Sequence, residues 1–459
     1  MFRLGFWNAL LTTIHLLLQR SDCEGYLLTT KLLSSIPLHT QLHSRQSDHS
    51  FEFHVAPMQC YTNAAMRQLF SALSPDAKLW TEMEKVQDLI LADPSALERR
   101  FGRPGHKDVV LQLGGNDEEA LSNCIRRLSN HGYTFEEINL NCGCPSVESG
   151  GAATYGASLM KKPRLTRDLL KAISETKPNH DTVVSLKCRI AVHDNPQAMS
   201  GDMLSEREYE ALYEYLSHAC QGNMNHLVLH ARAAVLSGLS PKKNRQVPVL
   251  DYRTVYRVSR DFPVHVTLNG GISSMGHLDK LVRNSTSTGI SSFMSGRWML
   301  RHPLDLARVQ CFLSQQNIAA DSGDFAINPS RKAVEAVEQY TNFISQCLQQ
   351  PTSNQICLPT INELCLPLYL ITEQIRDAYD YDEDFIEPVG ITESWLEYED
   401  IEKLYDTICE ALVGIQEAKG LKQKKFSASS IEFNKLSTTF KGLVGTKVAN
   451  KWKRNRAEF

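Results

Sequence analysis

The 459-residue chain lacks the marks of several protein classes. Its 12 cysteines form no C-x-x-C pair and no cysteine–histidine cluster at zinc spacing, so we predict no metal site. A chain of this length does not need disulfides for stability, and we expect most of its cysteines to be buried, reduced thiols. The formal net charge is −3. The chain is therefore not globally basic, and any surface that faces nucleic acid must be local.

Long apolar runs are confined to the N-terminus. Met1-Phe2-Arg3 precedes a mostly apolar stretch from Leu4 to Leu18, which resembles a signal sequence. Residues 26–47 contain no acid and are rich in Ser, Thr and Leu, as is typical of a transit peptide. This order favours delivery to an organelle, a plastid or a mitochondrion. A poorly ordered extension on a cytoplasmic protein is the alternative. No other segment reaches the ~18 apolar residues of a membrane helix, so we expect no stable membrane insertion of the mature protein.

From Phe51 to about Phe312, short β-type runs alternate with segments of helical periodicity. Several of the runs are continuously apolar, as expected for parallel strands covered on both faces. Eight such units in ~250 residues have the size and rhythm of a (β/α)8 barrel, an α/β TIM barrel. The predicted strands are Phe53–Met58, Lys78–Met83, Asp108–Leu113, Phe135–Asn141, Thr182–Cys188, His226–His230, Val264–Asn269 and Ile290–Ser295.

Each predicted strand ends in a side chain that could take part in binding or chemistry. Active sites of such barrels are built at the C-terminal ends of the strands. An open, doubly wound sheet is the rival fold, but it would not need such a residue at every strand end. In chain order the strand ends are Met58, Glu82, Gln112, Asn141, Lys187, His230, Asn269 and Gly296-Arg297.

After about Ala320 the pattern is helical, which predicts a smaller, all-helical C-terminal domain. Predicted helices include Pro329–Leu348 and Leu366–Tyr381, the latter with Pro367 near its first position. Fourteen acids lie between Glu373 and Glu410. They indicate an acidic insertion at about 350–425, or simply a solvated helical face. Eleven Lys and Arg follow among residues 417–459, as in a nucleic-acid-facing end. We divide the chain into an extension (1–50), a barrel (51–318) and a helical domain (319–459).

Two strand ends have the composition of a phosphate site. Asn269-Gly270-Gly271 follows the seventh predicted strand, and Gly296-Arg297 follows the eighth. Glycines allow backbone N–H groups to approach an anion, and the arginine adds a fixed charge. Loops after strands seven and eight of such barrels commonly bind phosphate. Strands three to six end in two amides, a cation and an imidazole, which would suit a planar heterocycle. These residues are Gln112, Asn141, Lys187 and His230.

The turn Asn141-Cys142-Gly143-Cys144-Pro145 places a thiol at the mouth of the predicted barrel. Cys144 could be a nucleophile or a proton donor. A nucleophilic cysteine normally has a histidine base, whereas a thiol of ordinary pKa, near ~8.5, is mostly protonated at neutral pH. Cys142, two residues earlier, is expected to point into the barrel wall. The glycine-rich loop that follows, Ser149–Ala153, could close over a substrate.

These motifs resemble those of the tRNA-dihydrouridine synthases. The resemblance covers residues 52 to 312 in order and resumes at Asn434–Arg454. The run Gly238–Arg245 points to the A-type, tRNA-dihydrouridine(20/20a) synthase-like subfamily. Other segments that carry the resemblance are Ala56-Pro57-Met58, Trp80–Met83, Leu111–Gly115, Asn139–Ser146, Tyr155–Met160, Lys187–Ile190 and His230-Ala231-Arg232.

The resemblance implies an FMN-dependent oxidoreductase that reduces the C5=C6 bond of D-loop uridines in tRNA. NADPH would reduce the flavin, and Cys144 would protonate C5. A monomer that binds tRNA and NADPH, without a metal, is expected. The implied FMN contacts are Ala56, Pro57, Met58, Gln112, Asn141, Lys187, His230, Asn269, Gly270, Gly271, Gly296 and Arg297. The implied tRNA contacts are Asn141, Arg232, Lys242, Lys243, Arg245, Lys451, Trp452, Lys453 and Arg454.

Two alternatives remain at this point. One is a flavin-dependent barrel that reduces a free pyrimidine or enone, against which the basic C-terminus argues. The other is a tRNA-binding paralogue that has lost catalysis, against which Cys144, Lys187, His230 and Arg297 argue.

Overall fold

The computed structural model describes residues 50–104, 109–145, 155–199, 203–240, 242–317, 328–349, 359–379, 395–421 and 431–457. The predicted targeting extension lies outside these residues except for its last position, as does the glycine-rich segment after Pro145. The predicted boundary at residue 318 also lies outside them. The chain from His49 to Phe459 forms one compact unit.

A closed barrel of parallel strands forms the first part of this unit. Every predicted strand overlaps one of its strands, so the predicted (β/α)8 barrel is confirmed. Two short strands, β6 (Val192–His193) and β8 (Ala234–Val235), pair with each other outside the barrel. Around the barrel run, in order, β1 (Glu52–Val55), β2 (Lys78–Lys85), β3 (Val109–Gly114), β4 (Glu137–Cys142), β5 (Val183–Arg189), β7 (His226–His230), β9 (His265–Asn269) and β10 (Ser292–Ser295).

Helices cover the outside of the barrel, and their ends follow local sequence signals. Side chains of Asn63, Asp117 and Ser205 cap three helix N-termini, since each oxygen accepts a backbone N–H that has no partner inside the helix. The helices of this part are α1 (Ala64–Leu73), α2 (Val86–Leu91), α3 (Pro94–Phe101), α4 (Glu118–Asn130), α5 (Pro163–Thr176), α6 (Glu206–Gln221), α7 (Tyr252–Asp261), α8 (Met275–Arg283), α9 (Ser285–Thr288), α10 (Arg297–Arg301) and α11 (Asp305–Asn317).

The second part of the unit is helical, as predicted. Helices α12 (Pro329–Gln349) and α13 (Ile361–Tyr379) both pack on barrel helix α1. The Tyr369 ring of α13 contacts Phe440 and Trp452 at centroid distances of 5.6 and 5.3 Å. No helix in the described ranges is long and apolar enough to cross a membrane. The five helices are α12 (Pro329–Gln349), α13 (Ile361–Tyr379), α14 (Tyr398–Ala418), α15 (Phe433–Val444) and α16 (Thr446–Ala457).

The predicted start of α13 is wrong. Pro367 lies inside the helix, which begins at Ile361. The start is set by Thr360 and Glu363: the Thr360 amide donates to the Glu363 carboxylate at 2.6 Å, and the Glu363 amide donates to the Thr360 hydroxyl at 3.3 Å. This reciprocal pair is a capping box, readable in the sequence as T-x-x-E.

Helix α14 lies within the predicted acidic insertion. Its apolar side chains, including Leu404, Ile408 and Leu412, are buried, while Glu402, Asp406 and Glu410 are exposed. The acids of this described helix therefore form a solvated face.

Candidate active site

A cavity of about 670 Å³ opens at the C-terminal end of the barrel. Its volume is in the range of small-molecule and cofactor sites. All the residues predicted to bind the cofactor line it, and so does Cys144. The structure therefore brings together the thiol, the strand-end amides, Lys187, His230 and the glycine–arginine segments that the sequence places far apart.

Glu82 is the strand end that does not line this cavity. The register between β2 and β3 shifts between Trp80 and Met83, so Met83 lines the cavity instead. The Glu82 carboxylate accepts a hydrogen bond from Gln59 Nε2 at 2.8 Å. Burial, followed by repulsion from Glu84, raises the pKa of Glu82 to about 7.

Lys187 supplies a cation to the cavity wall. Its Nζ donates to Asn269 Oδ1 at 3.0 Å, and Asn269 Nδ2 donates to the Met294 carbonyl at 2.9 Å. Burial, followed by repulsion from Arg189, lowers the pKa of Lys187 to about 8. The ammonium is thus charged at neutral pH but is held in a poorly solvated place, where it can stabilise negative charge on a ligand.

His230 lines the cavity as a neutral imidazole. Burial, followed by repulsion from Arg189 and Lys187, puts the pKa of His230 well below its ordinary value. Its Nδ1 is buried and has no hydrogen-bond partner among the described residues. A buried polar nitrogen without a partner is costly. It therefore suits a ligand that brings its own hydrogen-bonding group.

The segments after β9 and β10 form a glycine cradle at the cavity, in which added Cβ atoms would collide with neighbouring groups. Gly270 and Gly271 have φ of +111° and +77°, and a Cβ on Gly271 would lie 2.5 Å from Leu250 Cδ2. A Cβ on Gly296 would lie 2.9 Å from Met58 Sδ. Burial, followed by repulsion from Arg245 and Arg232, lowers the pKa of Arg297. Glycine turns that line the cavity beside Arg297 and Arg245 fit an anionic group such as a phosphate.

The turn that carries Cys144 is held from two sides. The backbone N–H groups of Gly143 and Cys144 donate to Asn141 Oδ1 at 3.2 and 3.1 Å. The Cys144 carbonyl accepts the Ala157 amide at 2.8 Å, and Gly156, with φ +71°, passes so close that a Cβ there would be 2.6 Å from that carbonyl oxygen. Cys142 is fully buried, and burial raises its pKa to about 12. The two thiols thus occupy different environments, as predicted.

The family model described as Dihydrouridine synthase (Dus) matches residues 54–365. This chain belongs to the dihydrouridine synthase family. It is 36% identical over 267 residues to the tRNA-dihydrouridine(20/20a) synthase of Xylella fastidiosa (strain 9a5c), covering 58% of this chain and 71% of that protein. It is 35% identical over 301 residues to the protein of that name in Haemophilus ducreyi, covering 65% and 81%. The predicted resemblance is confirmed.

Apart from Trp452, the residues predicted to contact tRNA fall into three groups in the structure of this dihydrouridine synthase. Asn141 and Arg245 line the cavity. The Arg232 guanidinium donates to the Pro248 carbonyl and does not line it, so its contact in the structure is with the chain's own backbone. A third group is exposed or half-exposed on the surface: Lys242, Lys243, Lys451, Lys453 and Arg454.

Trp452 is a correction to the predicted tRNA contacts. Its side chain is 8% exposed and lies against Tyr369. The structure therefore shows the Trp452 ring packed inside the helical part and not presented to a nucleic-acid base. An indole on the inner face of an amphipathic helix is core.

The sequence reasoning missed several polar side chains of the cavity wall, among them Arg189 and Asn455. Arg189 is buried and donates to the carbonyls of Gly143 and Ala233, both at 3.2 Å. Its position two residues after Lys187, on the same face of β5, could have indicated it. Asn455, from α16, also lines the cavity. No local signal marks it, because its position depends on how α16 docks.

Proposed function

We propose that this protein is an FMN-dependent tRNA-dihydrouridine synthase that reduces the C5=C6 bond of D-loop uridines with NADPH as the reductant. Family membership and the names of its relatives support this function. The observation that carries it is that Cys144, the Lys187 cation and the Gly270-Gly271/Arg297 cradle line one cavity.

The residues present fit an FMN. The cradle offers backbone amides and Arg297 to the phosphate, and the His230 Nδ1 and the Gln112 amide offer polar partners to a heteroaromatic ring. Bound FMN, reduced by NADPH, supplies a hydride to C6 of the uracil ring. The Lys187 cation stabilises negative charge on the ligands beside it.

The chain's own part of the chemistry is a proton transfer. Hydride addition at C6 leaves negative charge at C5 and O4 of the base, and a proton must reach C5 to complete the reduction. Cys144, which lines the cavity, donates that proton and acts as general acid. The target uridine has to leave its stack to enter the cavity, at a cost of a few kcal/mol.

We propose that tRNA is held by two basic surfaces. One consists of Lys451, Lys453 and Arg454 on α16, next to Asn455 in the cavity wall. The other consists of Lys242, Lys243 and Arg245. Phosphate contacts of this kind supply affinity without reading sequence, while the cavity selects the flipped base.

A direct assay tests the proposed function. The purified, FMN-loaded protein is incubated with NADPH and unmodified tRNA, and dihydrouridine is measured by mass spectrometry of nucleosides. We expect dihydrouridine in tRNA and no reduction of free uracil. Reduction of free uracil without any of tRNA would favour the small-molecule reductase, and purification without flavin would favour the inactive paralogue.

We further propose that residues 1–50 direct the protein to an organelle. Support comes from the apolar stretch Leu4–Leu18 and the acid-free segment after it. Fusion of residues 1–50 to a fluorescent protein tests this, and a diffuse cytoplasmic signal would contradict it.

A further inference from the structure

A row of buried polar side chains runs up the inside of the barrel towards Cys144. Its lower half starts at Glu137 on β4. The Ser185 hydroxyl donates to the Glu137 carboxylate, Asn139 Nδ2 donates to Ser185 Oγ at 2.7 Å, and Gln112 Nε2 donates to Asn139 Oδ1 at 2.9 Å. None of these four side chains is more than 7% exposed, so water does not compete for their bonds.

The upper half of the row reaches the cavity. Asn141 Nδ2 donates to Gln112 Oε1 at 2.8 Å. Asn141 Oδ1 in turn accepts the backbone amides of Gly143 and Cys144. The row therefore connects a carboxylate in the barrel core to the turn that holds the thiol, and Gln112 and Asn141 both line the cavity.

The direction of every bond in the row is dictated by its two ends. Backbone amides can only donate, so Asn141 must present its oxygen to the turn and its nitrogen to Gln112. An ionised carboxylate can only accept, so Ser185 must donate to Glu137 and receive from Asn139. The Gln112 side chain satisfies both requirements, because its Nε2 donates to Asn139 and its Oε1 accepts from Asn141. No amide in the row can flip without breaking a buried hydrogen bond.

Glu137 is kept ionised by His226. The His226 Nδ1 lies 3.0 Å from both carboxylate oxygens. Burial alone would raise the pKa of Glu137, but the attraction and hydrogen bond of His226 and the Ser185 hydroxyl outweigh it, so the pKa is lowered. The ionised Glu137 carboxylate at the lower end of the row can therefore only accept hydrogen bonds.

We propose that Glu137, acting through Ser185 and Asn139, is a positioning residue that fixes the amide orientations of Gln112 and Asn141 and thereby the Cys144 turn. The Gln112 and Asn141 side chains each use one N–H in the row, which leaves the other N–H for a bound ligand. The link to catalysis rests on the proposed function, whereas the link to the geometry of Cys144 does not.

The test compares two hydroxyl deletions on opposite sides of the Glu137–His226 pair. Ser185→Ala cuts the row and leaves the pair intact. Thr267→Val is the matched control, because the buried Thr267 hydroxyl bonds to His226 Nε2 at 2.8 Å and to Ser292 at 2.6 Å but has no bond to the row. Two quantities are measured on the FMN-loaded protein: kcat and KM for tRNA, and the rate of iodoacetamide labelling at Cys144 relative to exposed Cys60, located by fragment mass spectrometry.

We expect Ser185→Ala to lower kcat about tenfold with little change in KM, since a 1 Å misplacement of reacting groups can cost ~10²-fold. The Cys144-to-Cys60 labelling ratio should change with it. Thr267→Val should leave both quantities near wild type. Equal effects of the two substitutions, or none from Ser185→Ala, would overturn the proposal.

The proposal can still be tested if Ser185→Ala does not fold or if the wild-type protein is inactive. If Ser185→Ala does not fold, Ser185→Cys keeps the side-chain shape with a weaker donor, and the same comparison with Thr267→Val applies. If the wild-type protein makes no dihydrouridine, the proposed function fails while the labelling ratio still decides whether the row positions Cys144.

Discussion

Asn455 Nδ2 donates a hydrogen bond to the Tyr61 hydroxyl at 2.5 Å, and this bond joins the last described helix to the loop after β1. Both residues line the cavity. The next residue, Arg456, donates to the Arg301 carbonyl at 3.3 Å and to Asp377 at 2.6 Å. The helix that carries the proposed tRNA-binding surface Lys451, Lys453 and Arg454 therefore also forms part of the cavity wall.

Asn455→Ala should weaken productive binding of tRNA. Loss of one hydrogen bond of about 1 kcal/mol corresponds to about a fivefold rise in KM. Steady-state kinetics with tRNA check this. Asn450→Ala, an exposed asparagine on the same helix, is the control and should match wild type. An equal rise in KM for both variants would show that the effect comes from the surface of α16 and not from the Asn455–Tyr61 hydrogen bond.

Cys144→Ala should retain bound FMN and tRNA affinity but lose most dihydrouridine formation. A general acid typically contributes ~10²–10⁴-fold. Single-turnover reduction of tRNA measures the loss, and flavin absorbance with a tRNA-binding assay measures what is retained. Cys60→Ala, which removes an exposed thiol, should be fully active. Full activity of Cys144→Ala would refute its role as proton donor.

Gly271→Ala should reduce FMN retention. Its φ of +77° disfavours a side chain, and the new Cβ would be 2.5 Å from Leu250 Cδ2, so the cradle has to open. The ratio of flavin to protein after purification measures the effect. Gly276→Ala is the control, because a Cβ there meets nothing within 4 Å. Undiminished flavin in Gly271→Ala would argue against a phosphate site at this turn.

The pH dependence of kcat/KM should reflect the ionisation of Lys187. Its pKa is lowered to about 8, so the ammonium is present below that pH and is lost as pH rises through it. We expect kcat/KM to fall above about pH 8. In Lys187→Arg the cation persists to higher pH, and the fall in kcat/KM should begin at a higher pH than in the wild type. If kcat/KM of this variant still falls near pH 8, the fall reflects the ionisation of a group other than residue 187.

Much of the barrel and its cavity could be predicted from the sequence because the signals are local. The strand His226–His230 has its predicted bounds, and each of the other predicted strands overlaps a strand of the barrel. Parallel strands that close into a barrel bring their C-terminal ends to one mouth, so residues as distant in sequence as Met58 and Arg297 could be assigned to one site. The end of β4 at Cys142 likewise leaves Cys144 in the turn after the strand, outside the buried wall that contains Cys142.

The tertiary structure decided what depends on register and docking. A shift between β2 and β3 put Met83 rather than Glu82 into the cavity wall, and no periodicity in β2 marks it. Packing of α16 on α13 and on the barrel mouth buried Trp452 and brought Asn455 to Tyr61. Sequence periodicity determines which face of an element is apolar, whereas contacts between distant elements depend on how those faces pack together. The sequence therefore determined the barrel and most of the residues at its mouth, whereas the tertiary structure decided the members that depend on register and docking, Met83 and Asn455.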